Sequence, residues 1–136
     1  MTTLNLHTAL ISTMVIVSAA DREMTDRELF TIGEIVRTLP VFSDYDEDHL
    51  PGDATTCVDM LNGDQALEEI VSKIRAVLPK KLYDTAYALA CDIAVSDGQL
   101  SQEELRMLEM LRHGLDVDRL TAAAIERGAA VRFIRV

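Results

Sequence analysis

The chain has 136 residues, 49% of them apolar, with no Trp, three Phe, three Tyr and only three Pro. That length fits one domain with a substantial core, and a mean hydropathy of +0.11 argues against disorder. The formal charge of −10 opposes nucleic acid and anionic lipid surfaces, and favours cations or basic protein surfaces.

The scarcity of Pro, Gly and β-branched alternation points to an all-α fold. The first helix is expected from about Leu4 to Ala20, capped by Thr2 or Thr3. Leu6, Leu10, Ile11, Met14, Val15, Ile16 and Val17 leave it little polar face, so it should be central and buried. An acidic turn, Asp21-Arg-Glu, ends it. Thr25 then opens a second helix to Leu39, which Pro40 stops. Residues 41–53 form an acidic linker, and Asp53 is the expected cap of a short helix from Ala54 to Leu61.

A fourth helix follows from the stripe Ala66, Leu67, Ile70, Val71, Ile74, Val77 and Leu78, with Glu69 and Lys73 at i,i+4. A fifth, Lys81 to Ser96, is apolar on most sides and is the counterpart of the first. Ser101 opens a sixth that ends at Gly114, read as a left-handed C′ glycine. Asp116 or Asp118 starts a seventh, lasting to about Val131. The tail Val131-Arg-Phe-Ile-Arg-Val136 alternates like a strand but has no partner strand, so it reads as helix end and coil.

The stretch Asp97-Gly-Gln-Leu-Ser-Gln-Glu-Glu-Leu105 echoes Asp21-Arg-Glu-Met-Thr-Asp-Arg-Glu-Leu29 at an offset of 76 positions. The shared pattern is D-x-x-[ML]-[TS]-x-x-E-L, with apolar helices on both sides. Two helix–acidic turn–helix repeats, about 4–39 and 81–114, therefore suggest duplication within a single domain spanning 1–136. Each repeat alone would expose its apolar first helix. Packed together they make a compact bundle of about seven helices with the first and fifth at its centre.

Two readings of the turns stand side by side. Thr25-x-x-Glu28 and Ser101-x-x-Glu104 are capping boxes, in which hydroxyl and carboxylate satisfy orphan amides. The same oxygens suit a hard divalent cation. Asp97, Gly98, Leu100, Ser101 and Glu104 fit the second half of an EF-hand loop, but Ile93 and Val95 fail its first half, so this is no EF-hand. Asp44, Asp46 and Asp48 in the linker fail in the opposite way. Asp92, in the otherwise apolar fifth helix, is either a further ligand or part of a small solvent-facing polar strip.

The candidate metal residues are thus Asp97, Glu104, Asp92, Asp21 and Glu28, for Ca²⁺, Mg²⁺ or Mn²⁺. The second turn is expected to dominate: Gly98 admits a positive φ that Arg22 resists, and Ile16 stands where Asp92 has its counterpart. His7, His49 and His113 have no zinc spacing, and no Gly-rich phosphate loop occurs. Carboxylates without a nearby His or Lys are poorly equipped for acid–base catalysis, so no enzyme is expected.

Cys57 and Cys91 lack a CxxC spacing and no secretory signal precedes them, which reads as reduced thiols in the cytoplasm. The apolar stretch Met14–Ala20 is far shorter than the ~20 residues of a membrane span.

With Ala94 to Glu104 and the degenerate copy Ala20 to Leu29, the chain resembles the TerB-like domains, the family of the tellurite resistance protein TerB. That resemblance implies an all-helical domain with a metal site at the acidic inter-helix turns. It also implies a role in tellurite or stress resistance, through protein partners that bind calcium or sit at the membrane. Asp97, Glu104, Asp21 and Glu28 match the family motif, while Arg22 departs from its Asp-Gly. Tellurite is an oxyanion, so an acidic domain would act on resistance indirectly. The alternative function is a metal-free helical adaptor or homodimerisation module, with the turns as caps only.

Overall fold

The computed structural model describes residues 4–21, 24–96, 98 and 100–136, with the Asp21 side chain outside that description. Among them are seven α-helices and no strand: α1 (Leu6–Ser18), α2 (Asp26–Thr38), α3 (Leu50–Leu61), α4 (Leu67–Val77), α5 (Tyr83–Val95), α6 (Gln102–Gly114) and α7 (Arg119–Arg132). The tail beyond α7 is coil, as the lack of a partner strand requires.

The helix α1 has no polar face to offer solvent, and every residue from Ala9 to Ser18 is buried. It packs on α3, α4, α5 and α6 at once. Its start differs from expectation. Thr2 and Thr3 lie outside the described residues, and the cap is Asn5, whose Oδ1 accepts from Thr8 N at 2.9 Å. Thr8 Oγ1 returns the contact by accepting from Asn5 N at 2.8 Å, so the box fixes Leu6 as the first helical residue.

Two further boundaries are corrected. The linker between α2 and α3 holds two 3₁₀ turns, Pro40–Phe42 and Glu47–His49. Buried Phe42 packs there on His7 and Tyr45, with ring centroids 5.5 and 5.7 Å away. The helix α3 begins at Leu50, four residues before Ala54, because Pro51 is tolerated in a first helical turn. Asp53 is therefore no cap; its carboxylate accepts the Tyr45 hydroxyl. A 3₁₀ turn, Lys80–Leu82, precedes α5, which starts at Tyr83 rather than Lys81.

Gly114 was expected in the left-handed region, but it is the last residue of α6, and the left-handed residue is Asp116, with φ 56°. Gly114 has a different reason to be glycine. A Cβ there would stand 2.4 Å from Val71 Cγ1, so α4 and α6 touch where a side chain would separate them. The seventh helix is capped by Asp118, whose Oδ1 accepts from Leu120 N and Thr121 N, both at 3.0 Å.

The two repeats interleave. The 3₁₀ turn Ala19–Asp21 that ends α1 packs against α6, while α2 packs against α5. Each half thus closes on the other half's helix, and α7 covers the remaining side of α5.

Candidate functional site

The hydroxyl–x–x–Glu pattern needs only local geometry to form, and both copies form it. Thr25 Oγ1 accepts from Glu28 N at 3.1 Å, and Glu28 Oε1 accepts from Thr25 N at 2.9 Å. At the second turn Ser101 Oγ accepts from Glu104 N, and Glu104 Oε1 accepts from Ser101 N, both at 3.0 Å. Glu28 and Glu104 are each only 3% exposed, an unusual burial for a carboxylate. The positive end of the helix dipole and the cap amide favour the charge there.

Interleaving decides which elements surround these carboxylates. The turn Ala19–Asp21 lies on α6, the helix that Ser101 and Glu104 open. In return α2, opened by Thr25 and Glu28, shares a cleft with Asp92 and Ser96 in the last turn of α5. Ser18, the last residue of α1, adds a polar atom: its hydroxyl is buried and among the described residues has no hydrogen-bond partner. A buried hydroxyl left without a partner costs about 1–3 kcal/mol.

Asp97, Arg22 and Glu23 lie outside the described residues, and Asp21 is placed by its backbone alone. Gly98 has φ 81°, so the second turn does need the left-handed backbone expected of it. Asp92 is set apart from the capping glutamates. Its carboxylate accepts from Arg132 Nη2 on α7, and the two form an ion pair. Burial pushes the Asp92 carboxyl up, while the Arg132 guanidinium pulls it back down. Among the described residues no three His, Cys, Asp or Glu side chains cluster closely enough to hold a metal ion.

Two participants escape sequence reasoning. Arg135 donates from Nη2 to Ser96 O at 3.3 Å, and its Cζ lies 3.6 Å from where a Gly98 Cβ would stand. A guanidinium thus sits beside the second turn, offsetting the advantage that Gly98 gave it over the first. Ser18 was hidden in an apolar run; a lone hydroxyl within Val15-Ile-Val-Ser-Ala-Ala20 was its only signal.

As donors, carboxylate and hydroxyl oxygens are hard, and they suit Ca²⁺, Mg²⁺ or Mn²⁺ over softer metals. Glu28, Glu104, Ser18, Asp21 and Asp97 all carry donors of this hard kind. Elsewhere the buried thiols of Cys57 and Cys91 are free, and burial pushes Cys91 up to about 12, which makes it a poor nucleophile.

The family model described as tellurite resistance protein TerB matches residues 7–127, nearly the whole of the helical bundle. No curated protein and no solved structure matches the chain.

Proposed function

The chain belongs to the tellurite resistance protein TerB family, and on that premise we propose that it is a non-enzymatic domain that binds a divalent cation and acts through protein partners. The observation that carries this reading is the interleaving of the repeats. The turn that ends α1 is packed against α6 of the other half, a buried glutamate sits in each capping box, and the Ser18 hydroxyl, orphaned among the described residues, immediately precedes that turn. Glu28, Glu104, Asp21 and Asp97 would hold the ion, with Ser18 as a neutral donor. When bound, the ion would neutralise the repulsion among carboxylates drawn from both repeats. Asp92 is assigned to Arg132 rather than to the ion.

Partners of this domain would present basic surfaces to its acidic face, since the net charge of −10 attracts them and repels anionic lipid. No described helix is long and apolar enough to cross a membrane, so contact with membrane-bound proteins would be peripheral. A cytoplasmic location completes the proposal, with two free thiols in its support. Any effect on tellurite tolerance would be indirect.

The test is calorimetric titration of Ca²⁺, Mg²⁺ and Mn²⁺ into chelator-treated protein, paired with melting curves. Binding should release or absorb heat and raise the melting temperature, by linkage worth about 2.7 kcal/mol at a hundredfold excess over Kd. No heat and no shift at millimolar metal would contradict it. The second reading, a metal-free adaptor, is favoured by one observation: both capping boxes are complete. It predicts that cap substitutions destabilise the protein equally with and without chelator.

A further inference from the structure

Bordering the second turn, α2, the end of α5 and the C-terminal tail enclose a cleft of about 430 Å³. Its rim carries Phe30 and Ile134, which are 63% and 71% exposed, so it is an open groove rather than a sealed cavity. Two carboxylates line it, and both are already engaged: Glu34 by Arg37 at 3.0 Å and Asp92 by Arg132. Two further arginines in the lining, Arg27 and Arg135, pair with no carboxylate among the described residues. A protein of charge −10 therefore holds a cationic groove with an apolar rim.

We propose that this groove docks an acidic peptide segment of a partner protein that carries an aromatic or leucine side chain. The aspartates or glutamates of the segment would meet Arg27 and Arg135, and its apolar side chain would lie between Phe30 and Ile134. Scale favours a peptide over an anionic membrane. Screening limits the field a short segment feels to about 8 Å, where the arginines dominate. A flat anionic surface would meet the acidic remainder of the molecule as well. The groove borders the second turn through Arg135, but peptide binding and metal binding are read by different measurements, so either proposal can fail alone.

The experiment measures fluorescence polarisation of labelled short peptides rich in Asp and Glu with one Phe or Leu, against the same peptides carrying Asn and Gln. Acidic peptides should bind and the amide versions should not. Arg27→Glu and Arg135→Glu should each weaken binding about tenfold, as reversal of a peripheral charge pair does. Phe30→Ala should weaken it while the salt dependence stays unchanged, and melting curves would confirm that each variant folds. Failure of every acidic peptide to bind at millimolar concentration would overturn the proposal, as would binding indifferent to both reversals. So would arginine-dependent capture of phosphatidylserine vesicles without peptide binding. Self-association lost in Arg27→Glu would reassign the groove to a second copy of the chain.

Discussion

The two repeats share a turn and differ in what surrounds the helix before it. The α1 helix is enclosed on all sides, and Ile16 is 3% exposed. At the matching place on α5 stands Asp92, which keeps a polar strip where α7 and the tail pack: Asp92 with Arg132, Tyr87 with Glu126, Ser96 with Arg135. Duplicated local signals thus survive where local geometry suffices, while the helix faces diverge with their neighbours. One copy became the centre of the core, and the other became the seat of long-range polar contacts.

The largest expected effect separates two helical glycines. Gly114→Ala drives a Cβ into Val71 and should destabilise by about 1–3 kcal/mol. Gly33→Ala in α2 meets nothing nearer than Arg37 Nη2 at 3.9 Å, so helix propensity should stabilise it by up to ~1 kcal/mol. Denaturant melts of both variants check the contrast, and equal signs would break it.

Next come the caps. Thr25→Ala and Ser101→Ala should each destabilise by about 1 kcal/mol, because each removes one acceptor from a complete box. Ser18→Ala should act in the opposite direction in chelator, raising stability by about 1 kcal/mol through loss of an orphaned hydroxyl. With metal present that gain should shrink, which a pair of melting curves would show.

The smallest effect concerns pH. Asp92 is raised above its ordinary value by burial, so its favourable contribution is complete below the unfolded carboxylate pKa of about 3.9 and fades as pH rises through the folded value. Asp92→Asn should flatten that decline and leave neutral-pH stability equal to or above that of the unmodified chain. A clear loss at neutral pH would mean that the pair with Arg132 outweighs burial.

The turns, the all-helical fold and the central α1 were legible because i,i+3 capping and unbroken apolar runs are local. The cap of α7 was legible to within two candidates, Asp116 and Asp118, of which Asp118 caps and Asp116 takes the left-handed backbone. The start of α3 was not: Asp53 read as a cap, but the helix already begins at Leu50 with Pro51 in its first turn, and Asp53 instead accepts the Tyr45 hydroxyl. Nor was Gly114, whose constraint is the proximity of Val71 on another helix. Asp92 has its partner 40 residues away, and Arg135 reaches Ser96 across 39, distances no periodicity encodes.

The central claim is that the two turns serve one cation site. Its most direct test is Mn²⁺ titration, by calorimetry, of the chelated protein and of Glu28→Gln and Glu104→Gln, which keep a cap acceptor but remove the charge. A shared site predicts that each substitution alone abolishes most of the binding. Undiminished binding in either variant, or half the stoichiometry in each, would contradict it.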